Sequence, residues 1–272
     1  MNKIKYIVAL FFIFSLVGCD FLDRDPISNP NENNFYKTEK DFQIALISAY
    51  NTLYALYGPE SLPSFYGELM SDNAYNDNTA GNVADLEAFD THIGMDPSNT
   101  LVLGYWNTYY ESLYIINNIL EKSKNLDSKS ILALQAEARF LRALYYFDMT
   151  RAWGDVPLVE KPLTVGESLT YGRAPQSEVY DLIVDDLTFA TKNLPVKSKQ
   201  RFVGAATQEA AFALLGKVYL TLGNKTEAAK ALQNVYGKFS LVQYADLWDK
   251  SKKNGAESIF EIQYKGGKAN PY

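Results

Sequence analysis

The sequence predicts an all-α fold: tetratricopeptide-like pairs of amphipathic helices, irregular loops between them, and a short strand near the C-terminus. Three observations predict it. Apolar residues recur at helical spacing in successive stretches between residues 38 and 236. Capping or breaking residues such as Thr38, Gly58, Pro195 and Gly223 punctuate those stretches. Only near the end, in "SIFEIQY" (258–264), does the pattern switch to a period of two.

The chain opens with an export signal over residues 1–18. Lys3 and Lys5 precede the apolar run "IVALFFIFSLV", and Gly18 precedes Cys19. Eleven helical residues rise about 1.5 Å each, roughly half of a ~30 Å hydrocarbon core, so the run is too short for a comfortable span. Cys19 is the one cysteine of 272 residues. Alone it can form neither an internal disulfide nor a zinc cluster. The "LVGC" stretch is similar to a bacterial lipobox, which implies cleavage before Cys19 and lipid on its thiol. Two or more acyl chains would make a stable membrane anchor, each buried methylene contributing ~0.8 kcal/mol. Residues 19–36, rich in Pro, Asn and charge, read as a tether. Removing Lys3 and Lys5 takes the net charge from −6 to −8, which argues against a nucleic-acid surface.

The body then occupies 37–272. Thr38 and Asp41 form a capping-box-like pair, and Phe42, Ala45, Leu46, Ala49, Leu53 and Leu56 follow at helical spacing before Gly58 and Pro59. Residues 59–100 read as irregular, with "SDNAYNDNTAGN" rich in turn formers. Two helices follow, at about 102–123 and 128–152. The first carries Tyr105, Trp106, Tyr109, Leu113, Ile116 and Leu120 on its apolar face; the second has a stripe broad enough to be covered by more than one neighbour. Arg139, Arg142 and Arg151 are expected to line a polar face or to pair with acids such as Asp148 and Asp155. Helices at 177–193, 207–222 and 226–236 complete the set. The last two carry the tetratricopeptide pattern of a small residue, an aromatic three later and an alanine on the partner helix: Gly216, Tyr219 and Ala228, then Leu232 and Val235 in step.

"EARFLRALYYFDMTRAWGDVPLV" (137–159) resembles a signature segment of the SusD/RagB family, outer-membrane nutrient-binding lipoproteins of Bacteroidetes. "WNTYYESLYIINNIL" (106–120), "GRAPQSEVYDLIVDDLTFATKNLP" (172–195), "AATQEAAFALLGKVYLTLGNKTEAAKALQNV" (205–235) and "ESIFEIQY" (257–264) are similar to further blocks in the same order. The resemblance implies a helical framework, no catalysis and no cofactor. It also implies a place on the outer membrane, a glycan or peptide ligand, and a TonB-dependent, SusC-like transporter as partner. Family chains are longer, so 37–272 is expected to lack the family's C-terminal portion.

The chemistry of the residues agrees with binding. No phosphate loop is present, and His92 stands in a loop without a partner motif. Asn76, Asn78, Gly81 and Glu87 fall at positions 1, 3, 6 and 12 of a calcium-loop count, but Asn at position 1 and Ala80 at position 5 make a poor match, and no metal site is expected. Sugars need flat aromatic faces beside amides and carboxylates. The 64–78 stretch has that mixture, and Tyr66, Asp72, Asn73, Tyr75 and Asn76 are the candidate ligand-binding residues. A structural loop whose tyrosines pack on neighbouring helices would show the same composition. An exported interaction module without a small ligand, and a hydrolase needing two carboxylates across a cleft, are the competing readings.

Overall fold

The computed structural model describes residues 35–58, 61–77, 84–126 and 128–264. The signal segment, Cys19 and the tether as far as residue 34 lie outside them. The chain divides into two compact units, 1–41 and 42–272. In the first, the described part is a helix start. Asp41 accepts from the backbone N–H groups of Lys37 (3.0 Å) and Thr38 (2.7 Å), and its own N–H reaches Thr38 Oγ1 (3.3 Å). This is the reciprocal cap that the sequence predicts, and it opens α1 (Glu39–Tyr57).

The second unit is a succession of packed helices. After α1 come a helical turn (Leu62–Ser64), a π-helical turn (Phe65–Leu69) and α2 (Ala84–Thr91). Then follow α3 (Thr100–Ser123), α4 (Lys129–Trp153), α5 (Gln176–Asn193), α6 (Gln208–Thr221) and α7 (Lys225–Gln233). From α3 onward each packs against the next. α1 buries the six apolar residues that the spacing selects, and Tyr50 with them.

The expected irregularity of 59–100 is corrected in part. Ser61 caps the Leu62–Ser64 turn with Pro63 in its first positions, and Leu62, Phe65, Ala88 and Phe89 are buried. Helical pieces this short carry too few apolar positions for a period to show.

Helix α4 is the axis of the unit. It is buried on nearly all sides, and its buried charged residues Glu137 and Arg142 are internal fasteners. Arg142 donates from Nε (2.7 Å) and Nη2 (2.9 Å) to the two oxygens of Asp186 on α5, a bidentate fork. Its Nη1 reaches Asn117 Oδ1 on α3 (3.1 Å) and the Glu160 carbonyl (3.3 Å). Glu137 takes the Tyr50 hydroxyl of α1 (2.9 Å) and both Nε (3.0 Å) and Nη2 (3.1 Å) of Arg201. Each buried charge thus meets its partners on a different neighbour, which fixes how those neighbours sit.

The α6–α7 pair has the close approach that Gly216 requires. A Cβ at Gly216 would lie 2.5 Å from Leu232 Cγ, closer than packed atoms allow, while Ala228 and Ala231 are buried in the seam.

The strand expected at 258–264 does not form: among the described residues no sheet is present, and the one backbone bridge joins Val156 to Ala174. The alternation itself is real. Phe260 meets Phe140 edge-on at 5.2 Å and Tyr264 meets Tyr54 at 4.6 Å, whereas Glu261 and Gln263 bond to Asn254. The segment has the side-chain pattern of a strand and, among the described residues, no neighbouring strand to pair with.

Candidate functional site

Where α4 ends, four parts of the chain enclose a cleft of about 440 Å³. The end of α1 supplies Tyr57, the π-helical turn supplies Tyr66, α4 supplies Phe147, Asp148 and Arg151, and α6 supplies Lys217. The π-helical turn positions Tyr66 through its neighbour. Phe65 is buried on Phe89 and Tyr105, and the Tyr66 ring stands edge-on to Phe89 at 5.4 Å, leaving its other side to the cleft. Burial raises the Tyr66 phenol.

Asp148 lies at the floor. It accepts from the Tyr57 hydroxyl and from Tyr109 Oη (3.4 Å) on one oxygen, and from Arg151 Nη2 on the other. Burial raises its carboxyl, with Tyr57 and Arg151 pulling the other way; burial and the Asp148 charge together push the Tyr57 phenol well up. The Arg151 guanidinium lies 4.3 Å over the Phe147 ring and donates from Nε to the Phe147 carbonyl (3.2 Å). Lys217 is exposed and close enough to act on the Asp148 charge. The arrangement offers aromatic faces, two cations and one fully engaged carboxylate. A polyhydroxylated ring could stack and be hydrogen-bonded there. A pair of facing carboxylates, which glycoside hydrolysis requires, is not among the cleft's lining residues.

Of the five candidates from the sequence, Tyr66 alone lines this cleft. Asn76 anchors the loop to α2: its N–H donates to Asp90 Oδ2 (2.8 Å) and its side-chain amide to Glu87 Oε2 (2.9 Å). That bond joins two members of the calcium-loop count to each other; Asn78 and Gly81 lie outside the described residues. Asp72 and Asn73 are exposed, and Tyr75 is 77% exposed. Tyr57, Asp148, Arg151 and Lys217 went unselected in the sequence as binding residues. The Asp148–Arg151 pair has a visible signal, their i,i+3 spacing on a helix; Lys217 has none.

A second, more apolar groove of about 650 Å³ runs along α1, lined by Tyr50, Tyr54, Phe202, Val203, Ile262 and Tyr264 among others. Among the described residues no helix is long and apolar enough to cross a membrane.

A family model described as "Starch-binding associating with outer membrane", of the SusD-like group, matches residues 20–220. A SusD-like protein of Formosa agariphila, P2, is 28% identical over 97% of this chain and 53% of its own length. A SusD-like protein of Bacteroides ovatus is 26% identical over 97% of this chain and 50% of its own. Among solved structures, a laminarin-binding SusD-like protein superposes with a TM-score of 0.75 at 32% identity, covering 83% of this chain and 51% of that one. A SusD-like carbohydrate-binding protein of Bacteroides fragilis gives 0.73 at 28%, over 85% and 47%. The chain therefore spans about half the length of the relatives it matches.

Proposed function

Because the chain belongs to the SusD-like family, we propose that it is a binding protein that holds a glycan at the outer membrane without turning it over. The observation that carries the reading is the placing of Tyr66 in one cleft with Tyr57, Arg151 and Lys217. The names of the laminarin-binding and carbohydrate-binding neighbours support a saccharide as its ligand. In this reading Tyr66 offers the stacking face, while Asn76 holds the 64–77 segment against α2. Asp72, Asn73 and Tyr75 meet the parts of a longer glycan that extend beyond the cleft.

Acyl chains on Cys19 would hold the protein in the membrane, with residues 19–36 as the tether. A TonB-dependent, SusC-like transporter would take up what it captures. A glycan array probed with the wild-type chain and with Tyr66→Ala tests the reading. It expects saccharide binding that the substitution abolishes, and binding unaffected by Tyr66→Ala would overturn the placement of the site.

The apolar groove along α1 favours a second reading, in which a peptide or another protein is the ligand. Val203, 55% exposed, and Tyr264 form part of its wall. Wild-type binding to peptides in place of glycans, abolished by Tyr54→Ala, is the result that reading expects.

A further inference from the structure

The cleft has a charge pattern that a neutral sugar does not require. Of its lining residues, Asp148 is the carboxylate and Arg151 and Lys217 are the cations. The Asp148 charge is already met inside the protein: Tyr57 and Tyr109 take one oxygen and Arg151 Nη2 the other. Arg151 is held as a flat plate over Phe147, with Nε fixed to the Phe147 carbonyl. Nη2 is committed to Asp148, and among the described residues Nη1 donates to no protein acceptor. Lys217, on the neighbouring helix α6, makes no ion pair among the described residues. One guanidinium edge and one ammonium therefore face a half-apolar cleft, on a chain whose net charge is −6. A local cationic pair on an acidic protein concentrates anions at that spot and repels them elsewhere. A guanidinium presents its N–H groups in a fork that matches planar or tetrahedral oxyanions.

Resting on the glycan reading above, we propose that this cleft selects a saccharide bearing an anionic group, a carboxylate or a sulfate, which lies between Arg151 and Lys217 while the sugar ring stacks on Tyr66. The hydrogen-bond network around Asp148 keeps Arg151 in place, so the arginine is oriented before ligand arrives.

Titration calorimetry on the full chain tests this with two matched pairs of probes. One pair is an oligogalacturonate and its methyl ester; the other is a laminari-oligosaccharide with and without sulfate. At least one charged member is expected to bind about tenfold or more tightly than its neutral partner, as for one charge-assisted hydrogen bond. The pair that responds identifies the anion. Lys217→Gln, at an exposed position, is expected to remove most of that preference, read as the ratio of charged to neutral affinity within each pair. Equal affinity within both pairs, or a preference untouched by Lys217→Gln, would overturn the proposal while the glycan reading stood. Absence of binding by all four probes, with a neutral glycan of another kind bound on the array, would overturn it in the same way. Absence of binding to any saccharide would overturn both.

Discussion

Replacing Asp186 by Asn would test the internal fastening of α4 at its most buried point. Asp186 is 0% exposed and Arg142 is 5% exposed. Asn keeps the shape but removes the charge, and its NH2 group can only face the guanidinium as a second donor. Arg142 then keeps Asn117 Oδ1 and the Glu160 carbonyl, and loses one of the two acceptors that Nε and Nη2 address, together with the charge that balances it. Arg139, whose Nη1 reaches the same carboxylate at 3.2 Å, loses its ion pair as well. Breaking a buried pair from one side costs about 3–5 kcal/mol, against a total stability on the order of 5–15 kcal/mol. Equilibrium urea unfolding followed by circular dichroism measures it. With a slope of about 3 kcal/mol per molar urea, the midpoint should fall by about 1–1.7 M with the slope unchanged. Arg142→Met combined with Asp186→Leu should cost less than the single changes add up to, because neither partner is then left charged and alone. A midpoint for Asp186→Asn within about 0.2 M of wild type would refute the reasoning, since ~0.5 kcal/mol is what an exposed pair contributes.

Further outcomes follow from the same packing. Gly216→Ala should destabilise the chain by about 1–3 kcal/mol, because its Cβ meets Leu232 Cγ at 2.5 Å; adding Leu232→Ala should restore part of the loss in the same urea assay. The phenols of Tyr50, Tyr57, Tyr145 and Tyr146 are raised chiefly by burial. Below about pH 10 these phenols are neutral folded or unfolded; above it only the unfolded chain ionises. Each then removes about 1.4 kcal/mol of stability per pH unit. Tyrosinate absorbance from these residues should therefore appear together with loss of helical signal, and full ionisation near pH 10 with the helices intact would contradict their burial. Cys19→Ala should move the protein out of the membrane fraction, and full retention there would refute acyl anchoring.

Much of the helical frame was legible because its signals are local. The Thr38–Asp41 cap, the apolar spacing of α1 and the Gly216–Leu232 seam each lie within one helix or one helix pair, and the structure reproduces them. What was not legible is non-local. Arg142 was expected to pair with a nearby acid, and its partner lies 44 residues away on α5. Asp155, expected as an acid partner, instead caps α5 by accepting from the Gln176 N–H (2.9 Å). The alternation at 258–264 correctly separated the ring contacts of Phe260 and Tyr264 from the polar bonds of Glu261 and Gln263 to Asn254, but a ladder needs a second strand, which no pattern within one segment can supply. The candidate site divided the same way. Composition singled out the 64–78 segment and so included Tyr66. The convergence of Tyr66 with Arg151 and Lys217 depends on how the π-helical turn, α4 and α6 pack.

Hydrogen–deuterium exchange of the chain, with and without a saturating concentration of its best array ligand, tests the central claim most directly. The account predicts slowed exchange in 62–67, 147–152 and 214–217, three of the segments around the cleft. Protection confined to 202–204 and 262–264, along the apolar groove, would contradict it.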